Sequence, residues 1–279
     1  MSIKIIVDST SDIPTELIKK FGVDVVPLTV NFDDNCYLDK IEITSQEFFK
    51  RLSEAENLPT TSQASPGQFM EVFEKALADG NEILGIFISS KFSGTFDSAR
   101  MAKDMINSDK IHIIDSQTAC LGISLLILEA VKLVNSGLSI TEIVEKLEEI
   151  KSRVSIYAGV DTLKYLEKGG RLSKGAATVG TLLNIKPILR IKNSTIESID
   201  KVRGKNKLLK WLEDFVEDNV NVENKTIAIY HSANEELALT LKNTLIEKYN
   251  ARDVFIGEIG SVIGTHVGPN AIAIGYIED

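Results

Sequence analysis

The first half of the chain alternates short runs of β-branched residues with helical patterns that carry their own start signals. This alternation limits the fold more than any other feature. Residues 3–7, 23–30, 83–89 and 111–114 are short and rich in β-branched side chains, as strands are. Between them, Thr44 with Glu47, and Ser65 with Pro66 and Gln68, are spaced as capping boxes, and Gly22 and Gly80 fall where helix C-caps favour glycine. Strand, loop, helix and strand in repetition predict an α/β domain with a largely parallel sheet between helices.

A further capping box at Ser139 and Glu142 starts a helix that runs to about residue 151, and then the pattern changes. The stretch KPILRIKNSTIESIDKVR reads as two strands joined by a polar turn at Asn193-Ser194, an antiparallel hairpin. An amphipathic helix around Trp211 follows, then strand, helix and strand over residues 226–230, 235–249 and 254–258. The reading is therefore of two α/β domains, residues 1–152 and 153–279, the second with a mixed sheet. They are expected to pack directly, with the ligand site at their junction and the segment around 264–279 contributing to it.

With 279 residues the chain is long enough for two modest cores, and a net charge of −9 argues against a general nucleic-acid binder, which needs a broad cationic face. Cys36 and Cys120 form neither a zinc cluster nor a CxxC pair, so no metal is expected and a reduced cytoplasm is the economical setting. Only three consecutive apolar residues precede Asp8, too few for a secretion signal. The apolar stretch 119–134 is broken by Glu129 and Lys132, which predicts a buried helix and not a membrane span. Phosphate-loop, dinucleotide, HExxH and GxSxG motifs are all missing.

Hydroxyls cluster where strands are predicted to end: Asp8-Ser9-Thr10-Ser11, ISSKFSGTFDSA, Asp115-Ser116-Gln117-Thr118, and Thr60, Thr61 and Ser62 ahead of a helix capped by Ser65. Such loops lie at the carboxyl edge of a parallel sheet, where ligands bind, and their donors suit a small carboxylate or phosphate. Each one alone is also what an ordinary helix N-cap uses. Ser93-Gly94-Thr95 is the most pointed, because glycine lets the backbone approach a ligand; Asp8 is read as orienting backbone and hydroxyls. Of the three histidines, His112 is expected to be packed, His231 to be a cap or surface residue, and His266 to sit on a turn between Gly264 and Gly268.

Taken together, VDSTSD, TTSQASPGQF, SSKFSGTFDSA, IIDSQTA, LKYLEKGGRLS and GTHVGPNA, in this order and spacing, resemble the DegV family, the bacterial fatty-acid-binding proteins of the FakB type, over essentially the whole chain. The resemblance implies a lipid-binding subunit, not an enzyme and without a cofactor, that holds one long-chain fatty acid in an apolar tunnel. It implies that Thr61, Ser62, Ser93, Gly94 and His266 surround the carboxylate, which would favour the imidazolium form of His266. It implies further that Arg171 and Arg203 dock a separate ATP-dependent fatty acid kinase, whose acyl phosphate feeds phospholipid synthesis, with transient membrane contact for acyl exchange. Ala64 and Asn270 depart from the usual pattern and bear on loop detail. The competing reading is an enzyme acting on a small phosphorylated or carboxylated metabolite, with His266 as general acid or base.

Overall fold

The computed structural model describes residues 2–172, 184–220 and 222–279. From the amino end the chain forms β1 (Ile3–Asp8), α1 (Thr15–Phe21), β2 (Asp24–Val26), β3 (Thr29–Phe32), β4 (Asn35–Leu38), α2 (Ser45–Glu54), β5 (Thr60–Ser62), α3 (Pro66–Ala78), β6 (Glu82–Phe87), α4 (Thr95–Ile106), β7 (Ile111–Asp115), α5 (Leu121–Asn135) and α6 (Ile140–Lys151). It continues through β8 (Val154–Gly159), α7 (Lys164–Gly169), β9 (Ile185–Lys192), β10 (Thr195–Arg203), α8 (Lys205–Asn219), β11 (Thr226–His231), α9 (Glu235–Tyr249), β12 (Asp253–Glu258), α10 (Ser261–Val267) and β13 (Ile272–Ile277).

Two of the three expected capping boxes are reciprocal, and the one at Thr44 is a one-way cap. Thr44 accepts a hydrogen bond from the Glu47 backbone N–H, and Ser65 with Gln68 and Ser139 with Glu142 form reciprocal capping boxes. Strands β2, β1, β6 and β7 form a parallel sheet in that order. Its inner strands are buried on both faces: α3 and α4 cover one side through Phe69, Phe73 and Ala99, and α5 covers the other. The stretch 23–30 is not one strand. Pro27, which has no N–H to give to a ladder, separates β2 from β3. Strand β3 instead joins β4 and β5 in a small antiparallel sheet.

The second sheet is mixed, in the order β10, β9, β8, β13, β11, β12, and only the last pair is parallel. The hairpin predicted from the sequence is β9 and β10, and Asn193 and Ser194 both take positive φ, the requirement of a type I′ turn. Helices α8 and α9 cover one face of this sheet through Leu212, Leu237 and Leu241. Helix α5 lies against the other face while also packing on β6. The boundary expected at residues 152 and 153 would fall between α6 and β8, and one apolar cluster spans that position, joining Val7 and Leu125 to Ile156 and Ala273.

Helix α10 is tied to the first half by buried polar groups. The Asp39 carboxylate accepts from the Ser261 N–H at 3.2 Å and hydroxyl at 2.6 Å, and Lys40 pairs with the buried Asp12 at 2.8 Å. Gly260 is required there, because a Cβ would stand 2.5 Å from an Asp12 oxygen. These contacts fix the start of the helix that carries His266.

Candidate functional site

An apolar cavity of about 190 Å³ lies between the mixed sheet, α10 and the loops that follow β5, β6 and β7. Its wall is built by β8 (Ile156, Ala158), the β9–β10 hairpin (Leu189, Ile191, Ile196), α10 (Val262, Ile263) and Leu121 of α5. The alternation of strand side chains explains this assembly: each contributing strand turns one apolar row inward. No carboxylate lines the cavity among the described residues.

Polar groups gather at one end. Thr61 stands on β5, a three-residue strand paired with β3, and its hydroxyl lies 3.1 Å from His266 Nε2. Its neighbour Ser62 also lines the cavity, but the Ser62 hydroxyl accepts from the Asn31 amide at 3.1 Å. Ser93 precedes α4, where its hydroxyl accepts from the Thr95 N–H at 3.2 Å and contacts the Thr95 hydroxyl at 2.9 Å. Gly94 is the N-cap of α4. Gly94 lines the cavity, and an added Cβ there would lie 2.0 Å from Gln63 Oε1, so only glycine fits beside that side chain. Gln63, which the sequence reading passed over, lines the cavity and donates to Ser98 at 2.9 Å.

His266 is not on a turn: it lies in the last turn of α10, whose C-cap is Gly268. Burial, and then the neighbouring Arg171 charge, push its pKa down to about 4. Its Nδ1 is buried without a hydrogen-bond partner and faces Gly169, where an added Cβ would come within 2.3 Å. Gly169 therefore permits the imidazole to reach Thr61. The other two histidines stand apart from the cavity, His112 half-buried on β7 and His231 buried, its Nδ1 accepting from the Asn234 N–H at 3.3 Å. Asp8 orients neighbouring groups, accepting from the backbone N–H groups of Thr10 at 2.9 Å and Ile88 at 2.8 Å.

The two arginines occupy different settings. Arg171 lies at the polar end of the cavity, where its guanidinium donates to the carbonyl oxygens of Phe92, at 3.1 Å, and Gly169. Arg203 ends β10, an edge strand, and is exposed. A second, outer cleft of about 520 Å³ shares Thr61, Arg171 and His266 with the cavity and adds Lys164 and Lys168 of α7. Among the described residues, no group of His, Cys, Asp and Glu is arranged to hold a metal ion, and no helix is long and apolar enough to cross a membrane.

The class defined by this fold and site is an α/β protein with an apolar cavity, walled by the mixed sheet, α10 and the loops after β5, β6 and β7, that opens onto a cationic, hydroxyl-lined mouth. The chain belongs to the DegV family, whose family model matches residues 2–279. It is 39% identical over 277 residues to a DegV domain-containing protein of Caldanaerobacter subterraneus subsp. tengcongensis, with 99% of each chain covered. Among solved structures it is similar to a DegV family protein from Thermus thermophilus described by its fatty-acid binding, at 32% identity and a TM-score of 0.91 over the whole of both chains. It is also similar to a stearic acid-binding protein from Eubacterium ventriosum, at 27% identity and a TM-score of 0.89, over 100% of this chain and 98% of that one.

Proposed function

We propose that this chain binds a long-chain fatty acid, with the tail in the apolar cavity and the carboxylate at the polar end, and presents that carboxylate to a separate ATP-dependent kinase. The observation that carries the reading is the pairing of an apolar wall free of described carboxylates with one end where Thr61, Ser93, His266 and Arg171 converge. Burial of a long acyl chain contributes roughly 10 kcal/mol gross, at about 0.8 kcal/mol per methylene. The tail therefore supplies most of the affinity, and the polar end fixes which way the ligand faces, since a buried carboxylate without donors is strongly disfavoured.

In this reading the kinase transfers the γ-phosphoryl group of ATP to a carboxylate oxygen, leaving ADP and an acyl phosphate for phospholipid synthesis. Arg171 at the mouth and Arg203 on the edge strand serve the docking of that partner. Loading involves transient membrane contact, because the free acid partitions into bilayers. The unpaired thiols of Cys36 and Cys120 fit a cytoplasmic setting. The alternative, a metabolite-transforming enzyme, has less support, since His266 would have to act without a described carboxylate in the cavity wall.

Native mass spectrometry of the purified protein, before and after organic extraction, tests the reading. Co-purified acids of roughly 14 to 18 carbons are expected, a length whose burial matches the estimate above. An empty protein that ignores such acids and turns over a polar metabolite would overturn it.

A further inference from the structure

The string TTSQ at residues 60–63 sends its side chains in alternate directions, as a strand does. Thr60 and Ser62 turn toward β3, where their hydroxyls accept from the Asn31 amide at 3.3 Å and 3.1 Å. Thr61 and Gln63 turn the other way, Thr61 to His266 of α10 and Gln63 to α4. The Gln63 amide lies along the opening turn of α4: Nε2 donates to the Ser98 hydroxyl at 2.9 Å, and Oε1 fills the space beside the N-cap Gly94. Gln63 is exposed, yet Ser98 is buried and stands outside the cavity wall.

Holding an exposed glutamine in one conformation costs side-chain entropy, and a single hydrogen bond returns little beyond that. What the bond does achieve is geometric. Thr61 belongs to the small antiparallel sheet, and Ser93 to the loop that leads from β6 into α4. Among the described residues, Gln63 to Ser98 is the one side-chain hydrogen bond that joins residues 60–63 to residues 89–98. Ser93 directly precedes the turn that Gln63 spans, and its hydroxyl accepts from the Thr95 N–H at 3.2 Å, so it moves with that turn. A carboxylate presents two oxygens at a fixed span, and its hydrogen bonds weaken steeply when donors stand off their directions. A neutral head with one oxygen makes no such demand on the spacing of two hydroxyls.

We propose that Gln63 is a positioning residue: acting through Ser98, it sets the spacing between the Thr61 and Ser93 hydroxyls and so selects a carboxylate head over a neutral one, without itself touching the ligand. This rests on the fatty-acid reading above and extends it to the origin of head-group selectivity.

Lipid-free protein is titrated with palmitic acid and with 1-hexadecanol, which has the same tail length and a neutral head, and the ratio of the two affinities is the readout. Wild type is compared with Gln63→Met, which keeps the length of the side chain and removes its hydrogen bond, with Ser98→Ala, and with the pair. Each single variant is expected to lower the preference for palmitate by about fivefold, the worth of one hydrogen bond, and the pair to lower it no further. A preference unchanged in both single variants overturns the role, and so does an equal loss for both ligands, which marks a general loosening of the mouth. A loss in Gln63→Met that Ser98→Ala does not share, or losses that add in the pair, makes Gln63 a direct ligand contact and overturns positioning through Ser98. Failure of palmitate to bind wild type marks the distinct failure of the fatty-acid reading itself, and the selectivity falls with it.

Discussion

His266 is held as a neutral base. Its pKa lies near 4 in the folded chain against an ordinary 6.5, so between these values the unfolded chain takes up the proton more readily. The contribution of the residue to stability is complete above the unfolded value and is lost as pH falls toward 4. Asp8 has the opposite sign: burial raises its pKa from 3.8 to about 6, so its contribution grows as pH falls through that window. Comparing wild type with His266→Gln isolates the imidazole. Between about pH 7 and pH 4.5 the lipid-free variant should gain on wild type by on the order of 2 kcal/mol in urea unfolding. Parallel pH profiles would show that the imidazole is not depressed. Thr61, Ser93 and His266 are singled out only through the resemblance to a known family; the residues by themselves suggest ordinary caps and a turn histidine, and the structure places all three at one cavity, with His266 in α10. The reasons for Gly94 and Gly169 were not legible in the sequence, since each is set by a side chain, Gln63 or His266, arriving from another element.

The β9–β10 hairpin is an element whose turn was legible and whose attachment was not. Alternating apolar residues around Asn193-Ser194 predict the pairing, but the tip docks onto distant groups: the Ser194 N–H donates to the Gln117 carbonyl at 2.7 Å and the Ser89 hydroxyl donates to Ser194 Oγ at 2.8 Å. Since Leu189, Ile191 and Ile196 of this hairpin line the cavity, its tip anchors part of the cavity wall. Ser89→Ala and Ser194→Ala should show a coupling of about 1 kcal/mol in a double-mutant cycle. On the proposed function, release of a fluorescent fatty acid to acceptor vesicles should be several-fold faster in the double variant; additive single effects with unchanged release would remove the anchoring role. Strand β5 escaped sequence reading for a related reason. Three residues are too few to carry a periodic pattern, and only pairing with β3 makes Thr60–Ser62 a strand.

At the scale of the whole molecule, the alternation of runs made the two sheets legible, while the order of strands within them and the sharing of α5 depend on contacts between distant segments. The chain is acidic overall, with a net charge of −9, yet gathers Arg171, Lys164 and Lys168 around one opening. Electrostatic docking at such a local patch is sensitive to salt. On the proposed function, Arg203→Glu should lower acyl-phosphate formation by the partner kinase several-fold while bound lipid is retained, and salt at about 0.5 M should do the same to wild type. Normal phosphorylation by the variant would exclude Arg203 from the docking surface. The position of β13 bears on how the molecule is made. This strand, residues 272–277, lies between β8 and β11 and pairs with both. A ribosome-bound chain can assemble the parallel sheet early, but it keeps the facing edges of β8 and β11 unsatisfied until those late residues clear the exit tunnel. The interval between the two events, set by the pace of translation, is when the nascent chain is most exposed to chaperones and to wrong partners.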